Sequence, residues 1–177
     1  CVSFLSVFAV ADDSIPPKAT MDKPVKSFVL KDVMYDAKKG ASPEAANVDF
    51  SKVIGKKTSV LFFMSEGCTV TWRYEKRVGA LMKEMASKDV AFFGFRCSET
   101  DTPQSIRKFA ETRNFAMPVL NDDKGEVAKF YGVVQTPTFV VIDKKGVMRY
   151  RGSFDDNADE NDDAQKQRSA FPPPTRT

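Results

Sequence analysis

Val60-Leu61-Phe62-Phe63-Met64-Ser65-Glu66-Gly67-Cys68 carries an unbroken apolar run into a short polar turn that ends on a cysteine. A strand exposed on one face would alternate. This run does not, so it predicts a strand buried on both faces, at the centre of a sheet. Residues 69–87 follow with Val70, Tyr74, Val78, Leu81, Met82 and Met85 at helical spacing, and Arg73, Glu75, Lys76, Arg77, Lys83 and Glu84 mostly between them. One stripe is apolar and the rest solvated, the pattern of an amphipathic helix that begins directly after Cys68.

Working outward, Phe28-Val29-Leu30 with Val33 and Tyr35 predicts a first strand or extended arm, followed by a loop through Lys38-Lys39-Gly40. Val90-Ala91-Phe92-Phe93-Gly94-Phe95 is a second buried-type strand. Asp101-Thr102-Pro103 offers a capping residue with proline at the first helical position, opening a helix through Ile106, Phe109 and Ala110 that fades near Asn114. Met117-Pro118-Val119-Leu120 is a short extended piece, and Glu126 to Tyr131 a short helix that Gly132 can terminate. Phe139 to Ile142 and Val147 to Arg151 flank Asp143-Lys144-Lys145-Gly146, which predicts two antiparallel strands around a turn. There is no internal repeat. Strands and helices alternate, so the expected fold is α/β, three layers with a mixed central sheet and helices on both faces.

The chain has 177 residues, enough for one core, which the pattern places at 24–154. Residues 12–23 read as a linker. Residues 1–11, CVSFLSVFAVA, are apolar, close on Ala9-Val10-Ala11 and run into Asp12-Asp13, as at the cleavage site of a secretory signal peptide. The run is too short to span a bilayer. The alternative makes Cys1 a lipid-modified terminus. Either reading places the domain outside the cytoplasm, periplasmic or extracellular, where thiols can be oxidised.

Residues 155–177 lose apolar periodicity and end in a Pro-rich stretch, a poorly ordered tail. Asp155, Asn157, Asp159, Asn161 and Asp163 imitate a calcium loop, but Glu160 stands where glycine is needed and Lys166 where glutamate is needed. We read this run as a solvated acidic segment and expect no metal and no cofactor.

Lys and Arg number 27 against 24 Asp and Glu, which gives no electrostatic basis for nucleic-acid binding. Histidine is absent, which excludes Ser-His-Asp and Cys-His catalysis and His-bearing metal sites. Three cysteines, Cys1, Cys68 and Cys97, are too few for a disulfide scaffold or a four-cysteine zinc site. Any catalysis must therefore rest on sulfur or carboxylate.

Cys68 stands where the central strand ends and the helix begins. A thiolate there meets unpaired backbone N–H groups and the positive end of the helix dipole, which can bring a cysteine from about 8.5 toward roughly 3.5–7.5. Glu66 opposes ionisation and Arg73, one turn on, favours it. Far along the chain, Pro137 in Gln135-Thr136-Pro137-Thr138 precedes a buried strand, a position that points to a cis peptide beside a site.

Together these residues resemble the thioredoxin superfamily, and within it the redoxin and peroxiredoxin-like group related to alkyl hydroperoxide reductase/thiol-specific antioxidant proteins. The resemblance rests on Phe62 to Cys68, the helix after it, and Tyr131 to Asp143. It implies a thioredoxin-like fold and a redox-active Cys68 nucleophile. Departures are specific. Thr71 replaces the second cysteine of Cys-x-x-Cys, so its hydroxyl is a candidate donor to the Cys68 thiolate. Leu61 and Ser65 stand where a peroxiredoxin carries proline and threonine, and Thr136-Pro137 stands where it carries a peroxide-binding arginine. Cys97, at the end of the neighbouring strand, is a candidate resolving thiol, with a plain core cysteine as its alternative. Trp72, Thr136 and Pro137 are candidate substrate contacts.

The implied activity is thiol-disulfide exchange with an external thiol reductant and a disulfide-bearing protein. The alternatives are a weak thiol-dependent peroxidase and a non-catalytic binding module.

Overall fold

The computed structural model describes residues 18–35 and 46–155. The signal-peptide reading of 1–11, the first part of the 12–23 linker, the Lys38-Lys39-Gly40 loop and the tail beyond Asp155 lie outside the described residues.

Strands β1 (Val29–Lys31) and β2 (Asn47–Asp49) pair antiparallel, and a 3-10 turn, Phe50–Lys52, follows. The main elements are β3 (Thr58–Met64), α1 (Thr69–Met85), β4 (Val90–Arg96), α2 (Pro103–Thr112), β5 (Val119–Asn121), α3 (Glu126–Phe130), β6 (Thr138–Ile142) and β7 (Met148–Gly152). The sheet order is β5-β4-β3-β6-β7, parallel across β3–β4 and β4–β5 and antiparallel across β3–β6 and β6–β7. The apolar run is thus the central strand, as the sequence predicts.

Alternation along β3 assigns its side chains to two layers. Phe62 and Met64 face α1 and α2, packing with Tyr74, Val78, Ile106, Phe109 and Phe139. Leu61 and Phe63 face α3, with Phe95, Val140, Phe130 and Tyr131. Each fully buried Phe or Leu contributes about 1.5–3 kcal/mol. Phe62 stacks on Phe139 across the β3–β6 register at 4.5 Å. Opposite Phe62 on β4 sits Gly94, where a Cβ would come within 2.8 Å of the Met64 methyl and 3.2 Å of Val119, so glycine is what lets that layer close.

Two parts differ from expectation. The fold reaches back past residue 24: Ala19 is buried and donates to Phe130, and Asp22 donates to Met148. β2 and the 3-10 turn exist because Phe50, fully buried, plugs the α3 face against Phe93 and Phe95. At the other end of the sheet the expected turn forms, with Gly146 at φ 74 and the Asp143 carboxylate accepting from Lys145 and Val147.

Candidate active site

The C-terminal ends of β3 and β4 lie side by side, Met64 opposite Arg96, and the chain leaves β3 through Ser65-Glu66-Gly67 to reach Cys68. Cys68 is the N-cap of α1, with extended backbone, φ −90 and ψ 108, and it makes no side-chain capping bond. A serine or aspartate there would accept from the free N–H groups of the first turn. The sulfur takes that position instead.

Burial raises the proton affinity of Cys68. Donors outweigh it: the Thr136 side chain, the Thr71 backbone and hydroxyl, and the Val70 backbone bring the thiol below its ordinary value. In the neutral form the S–H donates to the Thr136 carbonyl at 3.1 Å. That bond steadies the thiol, and the hydroxyls steady the thiolate. Thr71 is fully buried and its Oγ1 has no hydrogen-bond partner among the described residues. An ionised sulfur supplies the acceptor that this hydroxyl lacks. The Thr136–Pro137 peptide is cis and Pro137 is buried; the Thr136 carbonyl of this loop before β6 is the one that accepts from Cys68.

Trp72 is 46% exposed. Its indole N–H donates to the Glu66 carbonyl at 2.7 Å, and the Arg113 guanidinium lies 4.7 Å from its ring. With Glu66, Gly67, Lys108, Phe109 and Arg113 it lines an open groove of about 610 Å³ that runs from the turn before Cys68 along α2. Sequence reasoning found Trp72 but not the α2 wall, because Lys108 and Arg113 carry no signal beyond that of a solvated helix face.

Cys97 stands apart. The two cysteines among the described residues, Cys68 and Cys97, are free thiols. Cys97 packs against the cluster on the α3 face, whereas Cys68 heads α1 over the opposite face. Burial first, then the Asp122 and Asp101 carboxylates, push its thiol up to about 12. Its place at the sheet edge is as expected, and the half-buried thiol packs against the α3-face cluster.

Sequence reasoning also missed Asp101. Its carboxylate accepts from Ser65 Oγ at 3.1 Å and from the Glu66 N–H at 3.2 Å. The only local signal was its place beside the Thr102-Pro103 helix start, which says nothing about a contact 35 residues away.

The AhpC/TSA family pattern matches residues 21–151. The chain belongs to the AhpC/TSA family. Within that family setting, it is 30% identical over 112 residues to the thiol-disulfide oxidoreductase ResA of Bacillus thuringiensis subsp. konkukian (strain 97-27), covering 58% of this chain and 64% of that protein. It is 34% identical over 96 residues to the thioredoxin-like protein YneN of Bacillus subtilis (strain 168), covering 54% and 55%. The chain therefore spans less than two thirds of these relatives. An uncharacterized conserved protein from Geobacillus kaustophilus superposes with a TM-score of 0.69 at 24% identity, covering 81% of this chain and 74% of that one. That likeness concerns the fold, which is thioredoxin-like. No helix among the described residues is long and apolar enough to cross a membrane.

Proposed function

We propose that this AhpC/TSA-family chain is an exported thiol-disulfide oxidoreductase that acts through the Cys68 thiolate on protein or small-molecule disulfides. The observation that carries this reading is the Cys68 sulfur at the head of α1, its proton affinity lowered by surrounding donors, facing Thr136 of the loop before β6. Relatives named thiol-disulfide oxidoreductase and thioredoxin-like protein agree with it. Export rests on the apolar run at residues 1–11.

In the first step the Cys68 thiolate attacks one sulfur of a disulfide. The Cys68–substrate S–S bond forms, the substrate S–S bond breaks, and the departing thiolate takes a proton from water. In the second step an external thiolate attacks the substrate-side sulfur and Cys68 leaves as thiolate, now held by the Thr71 hydroxyl. A second equivalent of the external thiol then attacks the reductant-side sulfur of the resulting mixed disulfide, releasing the reduced substrate thiol and the oxidised reductant disulfide. Trp72, Thr136 and Pro137 form the surface against which the substrate lies. Cys97 does not take the resolving step, since a thiol near 12 supplies a negligible thiolate fraction at neutral pH.

The peroxidase alternative is weaker. Ser65, the residue in the place of the peroxidatic threonine, donates to Asp101.

The test is insulin reduction with an external thiol. Wild type and Cys97→Ser are expected to turn over alike and Cys68→Ser to stop, with hydrogen peroxide consumed only at background rate. Full activity in Cys68→Ser overturns the reading, and a free-cysteine pKa at Cys68 leaves only a binding module.

A further inference from the structure

The turn that delivers Cys68 to α1 is fastened by a carboxylate from a separate part of the fold. Asp101, between β4 and α2, is 1% exposed. Its two oxygens take two consecutive residues of the turn, one the Ser65 hydroxyl at 3.1 Å, the other the Glu66 N–H at 3.2 Å. Ser65 passes the restraint on: its hydroxyl accepts from the Gly67 N–H at 3.3 Å and its carbonyl from the Cys68 N–H at 3.2 Å. Each backbone donor of residues 66–68 thus ends on Asp101 or Ser65.

Asp101 is itself held in place. The Arg96 guanidinium donates to its carbonyl, from Nε at 2.6 Å and also from Nη2, and Arg96 Nη1 donates to Asn121 Oδ1 at 2.6 Å. The charged groups facing the carboxylate are Arg96 from β4 and Glu66 from the turn. Burial, then the Glu66 charge, raise its proton affinity, while Ser65, the Glu66 N–H and Arg96 lower it, and the net is above the usual carboxylate range. Arg96 meets the Asp101 carbonyl rather than its carboxylate, so this acid is buried at a cost that its hydrogen bonds to the turn must offset.

We propose that Asp101 is the positioning residue of the nucleophile, locking the Ser65–Gly67 turn so that the first N–H groups of α1 stay aimed at the Cys68 sulfur. The inference rests on Cys68 being the reactive group. It has a sign that separates it from a simple charge effect. Loosening the turn takes donors away from the thiolate and raises the Cys68 pKa, whereas removing a nearby negative charge lowers it.

The experiment measures iodoacetamide alkylation of the Cys68 peptide by mass spectrometry from pH 5 to 9, on wild type, Asp101→Asn, Ser65→Ala and the double variant. Asp101→Asn is expected to raise the Cys68 pKa and slow alkylation at pH 6.5 by roughly three- to tenfold, and Ser65→Ala by about two- to threefold. The double variant is expected to match Asp101→Asn within about twofold, because both changes cut one path. A lowered or unchanged Cys68 pKa in Asp101→Asn, even with a lower melting temperature, overturns the proposal, and so does an additive double variant. Should Asp101→Asn fail to fold, Ser65→Ala decides alone: slower alkylation supports the proposal, and wild-type behaviour overturns it. A free-cysteine pKa in wild type defeats the functional reading itself; a low wild-type pKa untouched by these variants defeats only this inference.

Discussion

Thr71 shows how one side chain can be matched to a charged state of its neighbour. Its hydroxyl is fully buried and unpartnered among the described residues, a poor arrangement beside a neutral thiol and a good one beside a thiolate. Thr71→Val keeps the shape and removes the donor. The Cys68 pKa is expected to rise by about one unit, which slows alkylation at pH 7 by up to about tenfold. Melting of the reduced protein with Cys68 in its protonated form is expected to be unchanged or slightly higher. Equal alkylation profiles in the two proteins would remove Thr71 from the site. Thr71 could be nominated from the sequence because it stands in the second-cysteine place of the resembled Cys-x-x-Cys motif, with a hydroxyl bonded back to the preceding turn as the alternative. Asp101 could not, because its contact with the turn depends on the parallel register of β3 and β4, which no local pattern encodes.

At the scale of elements, α2 serves both the core and the groove. Its start is fixed by a reciprocal cap, Thr102 Oγ1 accepting from the Ser105 N–H at 3.0 Å and Ser105 Oγ accepting from the Thr102 N–H at 2.9 Å, with Pro103 in the first turn. From there Ile106, Phe109 and Ala110 go inward, and Phe109 supports Trp72 at 6.3 Å between ring centroids. Thr102→Ala is expected to cost about 1 kcal/mol, or roughly 2–4 °C in melting temperature by calorimetry. A shift below 1 °C would mean that packing, not the cap, sets this helix start. Elements with strong period or caps, β3, α1 and α2, could be read directly from the sequence. β1 falls where Phe28-Val29-Leu30 predicts a strand or extended arm, but its three-residue partner β2 could not be read, since that pairing follows from Phe50 seeking the α3 face rather than from composition.

For the whole molecule, the two described cysteines act on stability with opposite signs. Cys68 is depressed in the folded state, so its contribution is fully present above the unfolded pKa and is lost as pH falls through its folded value. Cys97 is raised to about 12. The folded chain keeps a proton that the unfolded chain releases above about 8.5, so its contribution is fully present below that pH and is lost as pH rises toward 12. The slope is about 1.4 kcal/mol per pH unit, so roughly 2 kcal/mol disappears between pH 8.5 and 10. The buried Tyr131 phenol, also raised by burial, adds the same sign only above its own ordinary range. Urea unfolding of reduced wild type and Cys97→Ala at pH 7.5 and 9.5 isolates the term. Wild type is expected to be the more stable at pH 7.5, where the thiol fills its place on the α3 face, and to lose at least about 1 kcal/mol more than Cys97→Ala by pH 9.5. Parallel losses in the two proteins would mean that Cys97 meets water freely, returning it to consideration as a partner for Cys68.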